Sequence, residues 1–92
     1  VSSWYLYVLE CERGVLYAGI TTDVEKRFEL HASGKGAAFT RINRPLRILG
    51  AAPYPDRAEA TRAEMALKKA SRDRKLRWAR ENAWPHRETL SP

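Results

Sequence analysis

Residues 4–20, WYLYVLECERGVLYAGI, contain two apolar runs parted by the polar Glu12-Arg13-Gly14. Trp4 to Glu10 and Val15 to Ile20 are rich in aromatic and β-branched side chains, which fit a pleated surface, and a short Gly-containing break between two such runs reads as an antiparallel hairpin. Outward from this hairpin the period changes. Thr21-Thr22-Asp23 offers N-cap side chains, and Val24 and Phe28 recur at i, i+4, so a helix is expected from about Val24 to Ala32, closed by Ser33-Gly34. Lys35 to Arg44 is Gly-rich and basic with Phe39 embedded in it, and reads as a loop. Pro45 to Tyr54 reads as a third strand, broken by Pro53 and Pro55.

Asp56 is placed to cap a second helix, in which Ala60, Ala63, Leu67 and Ala70 form an apolar stripe suited to packing on a sheet. Ser71 is placed to cap a third, running through Leu76, Trp78 and Ala79. The expected fold is therefore α+β: a small, mostly antiparallel three-stranded sheet flanked by helices, in the order β-β-α-β-α-α. With 92 residues the chain has room for one modest core. Residues 1–84 are read as the domain and 85–92, with Pro85 and Pro92, as a C-terminal tail.

The formal net charge of +6 favours a polyanionic partner, with nucleic acid first among them, because each neutralised phosphate releases condensed counterions. No apolar run approaches the roughly 20 residues of a membrane span, and the N-terminal residues lack a basic stretch and apolar core, so the expectation is a cytoplasmic protein with no membrane partner. Cys11 stands alone, without a disulfide partner or a zinc-ligand spacing, and reads as a reduced strand residue.

Five polar residues fit poorly into a simple amphipathic pattern. Arg27 and His31 are i, i+4 to each other and flank the Val24 stripe instead of opposing it. Tyr7 and Tyr17 come from the two hairpin strands, and Glu64 borders the apolar stripe of the second helix. Plainer readings exist for each: sheet-packing aromatics, a solvated arginine, a histidine at a helix C-terminus, and a Glu64–Lys68 surface pair.

Taken in order, Trp4-Tyr5-Leu6-Tyr7-Val8-Leu9, Leu16-Tyr17-Ala18-Gly19-Ile20-Thr21-Thr22-Asp23-Val24, Arg27, His31, Gly34-Lys35-Gly36-Ala37, Phe39-Thr40-Arg41, and Arg57-Ala58-Glu59-Ala60 leading to Glu64, Leu67 and Lys68 cover about four fifths of the chain. In this the sequence resembles the GIY-YIG nuclease superfamily, and especially its small stand-alone bacterial members. The first signature triplet reads Tyr5-Leu6-Tyr7, without its glycine, and the second Tyr17-Ala18-Gly19.

The resemblance implies a metal-dependent endonuclease that hydrolyses DNA phosphodiester bonds, structure-selective or non-specific, on branched, nicked or single-stranded DNA. It implies that Tyr7, Tyr17, Arg27, His31 and Glu64 are the site residues, with Glu64 holding one Mg²⁺ or Mn²⁺ ion and Arg27 presenting its planar fork to phosphate oxygens. Tyr7, Tyr17 and His31 all remain candidates for the general base. Lys35, Arg41, Arg44, Lys68 and Lys69, with Arg72 and Arg74, are candidate phosphate contacts around that site. A nucleic-acid-binding module that keeps the fold and cleaves weakly is the alternative.

Overall fold

The computed structural model describes residues 3–85, so the expected tail lies almost wholly outside the described residues. Strand β1 (Trp4–Cys11) pairs antiparallel with β2 (Leu16–Thr21) and with β3 (Pro45–Tyr54), in the order β2-β1-β3. The turn joining β1 to β2 has Arg13 at φ 63° and Gly14 at φ 73°, and the Val15 amide donates to the Glu12 carbonyl at 3.3 Å. Positive φ at both central residues marks a type I′ turn, whose twist matches that of the strands it joins.

Being central, β1 is covered on both faces, which is why its apolar run is continuous. Tyr7, Leu9 and Cys11 point into a cluster with Val24 and Ala51, against which Tyr5, Tyr17 and Phe28 pack. Leu6 and Val8 point the other way, into a cluster with Ala18 and Leu67. The β1–β3 register slips between Val8 and Leu9, where the partners pass from Gly50 to Ile48. Leu49 is thus the extra residue of a bulge, and it packs on the Leu6 side while Ile48 packs on the Tyr7 side.

Helix α1 (Val24–Ala32) lies on the Tyr7 face, and α3 (Arg57–Lys68) and α4 (Arg72–Glu81) cover the other. Their expected caps are in place: Asp23 accepts from the Lys26 amide, Asp56 from Glu59 and Ser71 from Arg74. The expected stripe faces the sheet: Leu67 is buried in the Leu6 cluster, Ala63 and, just past the helix, Ala70 pack partly buried against it, and Ala60 is fully enclosed. The fold expected from the sequence is present.

One local expectation is corrected. Within Lys35 to Arg44, read as a loop, Ala38–Ile42 forms a short helix, α2. Its N-cap, Ala37, makes no side-chain hydrogen bond, and one turn has no periodicity to reveal it. Tertiary contacts hold it instead, chiefly those of the buried Thr40. Cys11 is fully buried and unpaired, and burial pushes its thiol pKa up, with Glu10 and Glu12 adding to the effect, which keeps it an inert thiol. No helix among the described residues is long and apolar enough to cross a membrane.

The segment after α4 closes the outer edge of β3: the Ala51 amide donates to the Asn82 carbonyl, and the Trp84 amide to the Leu49 carbonyl. This contact depends on Gly50. A Cβ there would stand 2.8 Å from the Ala79 carbonyl oxygen, 2.9 Å from its Cα and 2.9 Å from the Asn82 carbonyl oxygen, all of them backbone atoms. Gly50→Ala is expected to lower stability by about 1–3 kcal/mol in urea unfolding, since no side chain can swing aside to relieve the overlap. An unchanged unfolding midpoint would mean that α4 does not rest on β3 in this way.

Candidate active site

Tyr7 and Gly19 are directly opposed in the sheet, and the tyrosine ring lies across its neighbour. A Cβ at Gly19 would come within 2.5 Å of the Tyr7 Oη and 2.8 Å of its Cζ. The glycine of the second triplet therefore makes room for the tyrosine of the first, whose hydroxyl is carried from the central strand toward the edge strand.

There the Tyr7 hydroxyl meets His31 Nε2 at 2.9 Å, with both side chains 2% exposed. The other ring nitrogen, Nδ1, lies 2.8 Å from Thr40 Oγ1, and the Thr40 hydroxyl donates to the Ala37 carbonyl at 2.9 Å. Because the threonine proton is spent on Ala37, its oxygen accepts from His31 Nδ1–H. Nε2 then carries the lone pair that accepts the Tyr7 proton. Burial first, and the Arg27 charge second, hold the His31 pKa below its usual range, in keeping with this neutral tautomer. Gly36 lets the chain pass close to the ring, since a Cβ there would fall 2.2 Å from His31 Nδ1.

Tyr17 joins from the edge strand. Its ring centroid is 5.1 Å from that of His31, edge-on, and 6.4 Å from that of Tyr7. The helices bearing Arg27 and Glu64 lie on opposite faces of the sheet, yet both charges act on the Tyr7 hydroxyl. Burial raises the Tyr7 pKa well above the ordinary phenol value, Tyr17 raises it further, Arg27 draws it down by charge and by donating toward the oxygen, and Glu64 raises it slightly. The other four expected residues thus all bear on the Tyr7 hydroxyl: His31 by a hydrogen bond, Tyr17, Arg27 and Glu64 through their charge or proximity. Arg27 is exposed to solvent there, whereas Tyr7 and His31 are not.

Glu64 is largely buried and pairs with Lys68 at 3.1 Å, the i, i+4 contact that the plainer reading expected. No group of three or more His, Cys, Asp or Glu side chains able to hold a metal occurs among the described residues. A single carboxylate still suits a hard divalent ion of the Mg²⁺ type, which commonly takes one or two protein carboxylates and completes its shell with substrate phosphate and water. An ion at Glu64 would replace the Lys68 ammonium, a partly exposed contact of the kind worth no more than about 1 kcal/mol.

Of the expected phosphate contacts, Arg41 and Arg44 border a depression of about 220 Å³ behind His31 and Thr40, and Lys68 borders another, of about 310 Å³, beside Tyr17. Lys35 and Lys69 are exposed. Arg72 is engaged by the Gly14 carbonyl. A wider cleft of about 400 Å³ between α3 and α4 contains none of the five site residues. Sequence reasoning assigned no role to Thr40 or Gly36. A buried imidazole needs a partner at each nitrogen, and that requirement was the only signal for a nearby hydroxyl.

Polar side chains thus gather at an open sheet edge flanked by basic ones, an arrangement suited to an anionic ligand. Residues 3–77 match the family described as "GIY-YIG catalytic domain", and the chain belongs to that family, one of nucleases. A UPF0213 protein of Xanthomonas axonopodis pv. citri (strain 306) is 56% identical over 75 residues, covering 82% of this chain and 74% of that protein. Among solved structures, the chain resembles a UPF0213 protein from Bacillus halodurans (41% identity, TM-score 0.56, 90% of this chain and 88% of that one). It also resembles a protein from E. faecalis (37% identity, TM-score 0.60, 88% and 86%).

A neutral buried His31 has a consequence for stability. Its pKa is lowered in the fold, so below the unfolded value of about 6.5 the unfolded chain binds a proton that the native state does not, and stability falls with pH. Denaturant unfolding followed from about pH 8 to about pH 5 should show this loss, and His31→Gln should flatten the slope in that window. Equal slopes in the two proteins would contradict a neutral His31.

Proposed function

We propose that the chain is a divalent-metal-dependent endonuclease that hydrolyses DNA phosphodiester bonds at the β2 edge. The observation that carries this reading is the ordered chain of donors from Tyr7 through His31 and Thr40 to Ala37, standing within reach of the Arg27 and Glu64 charges. A phosphodiester is an anion attacked by a nucleophile gaining negative charge, so hydrolysis needs a base for water and positive charge on the phosphate oxygens.

Tyr7 is ill suited to act as a free phenolate, because burial raises its pKa. It is well suited to pass a proton on. As the phenol oxygen takes a proton from the attacking water, its own proton moves to His31 Nε2, and the new P–O bond forms while the bond to the leaving sugar oxygen breaks. Thr40 holds the imidazole in the tautomer this transfer requires. Tyr17 borders the reacting atoms as a second hydroxyl, and Arg27 sets its planar fork against the non-bridging oxygens. Glu64 would hold one Mg²⁺ or Mn²⁺, which when bound supplies positive charge at the phosphate and leaving oxygens. Arg41, Arg44, Lys68, Lys69 and Lys35 would steer and hold the DNA backbone without reading its sequence.

The test is cleavage of labelled branched, nicked, single-stranded and duplex DNAs with Mg²⁺ or Mn²⁺ and with chelator. Cutting is expected only with the ion. Arg27→Ala should lower the rate by about 10²–10³-fold through lost transition-state charge stabilisation. Glu64→Gln should lower it comparably while DNA binding persists. The Glu64–Lys68 pair favours one rival, a binding module whose carboxylate is merely neutralised. DNA binding by the wild type without cleavage of any substrate would decide for that rival.

A further inference from the structure

Phe39, on the short helix α2, is 39% exposed, and its ring centroid is 5.5 Å from that of Tyr17, with the planes 31° apart. The two rings line a cavity of about 310 Å³ at the β2 edge together with Leu16, Ala18, Lys68 and Lys75. Lys68 also touches Glu64, and Tyr17 also touches His31, so the cavity adjoins the proposed reaction centre on two sides.

From this arrangement we infer that the cavity is a subsite for one unpaired nucleobase of the DNA strand being cut, seated against Phe39, with its flanking phosphates on Lys68 and Lys75. The inference rests on the nuclease reading and adds to it the state of the substrate next to the scissile bond. Three features favour this occupant. The volume is at the low end of the ~300–1,000 Å³ of small-molecule pockets, enough to admit one base. An aromatic face stacks on any base, so recognition here needs no sequence. Two lysines lining the same cavity as an aromatic pair match a ligand that is flat and apolar on the face of its base and anionic along its backbone. A base inside a duplex is stacked on both sides and unavailable to Phe39, so the substrate is unpaired at this position.

The test is anisotropy binding of the whole chain, in chelator, to a labelled short oligothymidylate, to an abasic phosphodiester strand of the same length, and to duplex DNA. The oligothymidylate should bind about 5–150-fold more tightly than the abasic strand, the range of one base stacked on an aromatic side chain. Phe39→Ala and Phe39→Leu should both erase most of that preference and leave abasic binding unchanged, while Phe39→Trp should keep it. Lys75→Ala should weaken both strands alike. Equal binding of the two strands by the wild type would overturn the subsite, as would a preference that survives in Phe39→Leu with an unaltered thermal midpoint. Cleavage that depends on Glu64 without any base preference would remove the subsite alone. A base preference without Glu64-dependent cleavage would remove the hydrolytic reading alone.

Discussion

An imidazole taken wholly out of water must have both nitrogens satisfied, and the way His31 meets that demand organises the rest of the molecule. Its Nε2 ties α1 to the central strand through Tyr7, and its Nδ1 ties α1 to α2 through Thr40. Without the second bond, α2 is a single turn whose N-cap makes no side-chain hydrogen bond and which loses its one buried anchor. With it, Phe39 is brought against Tyr17, and Arg41 and Arg44 are set beside the site. One buried side chain thus positions two helices, an aromatic pair and part of the basic rim. Leaving either nitrogen unpaired would cost about 1–3 kcal/mol, a large share of what so small a domain has to spare.

The sheet poses a separate problem: Arg27 and Glu64 belong to helices on opposite faces, and the proposed site needs both. A flat barrier of strands would keep them apart. Gly19 leaves out one side chain on the edge strand, and Tyr7 fills that space, so the hydroxyl of a central-strand residue is carried to the β2 edge, where both charges act on it. The missing side chain of Gly19 and the reach of Tyr7 act as one feature. A side chain at position 19 would have to displace the Tyr7 ring.

The elements that carry regular periods were legible in the sequence. The hairpin followed from two β-favouring runs around Gly14, α1 from Asp23, Val24 and Phe28, and α3 from the Ala60, Ala63, Leu67 and Ala70 stripe, because local propensity and burial agree at those positions. Arg27 and His31 stood out because they flank a buried stripe with polar side chains. What stayed hidden were contacts between residues distant in sequence. Nothing in the sequence near Thr40 shows that it faces a ring nine positions earlier. Likewise, the closeness of Gly50 to Ala79 and Asn82 is a property of how α4 lies across β3, not of any local pattern. The family resemblance named five residues that the fold gathers around the Tyr7 hydroxyl, but the direction of the hydrogen bonds among them is a property of the folded arrangement alone.

The electrostatics of the resting site are largely self-compensating, and this bears on how it would be engaged. Glu64 is held by Lys68, the Arg27 guanidinium opposes the burial that keeps Tyr7 protonated, and His31 is neutral because both its surroundings and Arg27 disfavour a charge. Such a site has no strong net attraction for a free cation, since its one carboxylate already has a partner. A phosphate arriving at the basic rim changes that balance. It offers Lys68 and Arg27 a new anion, leaves the Glu64 carboxylate unpaired, and makes a proton on His31 less unfavourable than it is in the free protein. In the proposed nuclease, cation and DNA affinities would then be linked and reciprocal, and the charged groups that balance one another in the free protein would be the same ones that substrate binding redistributes.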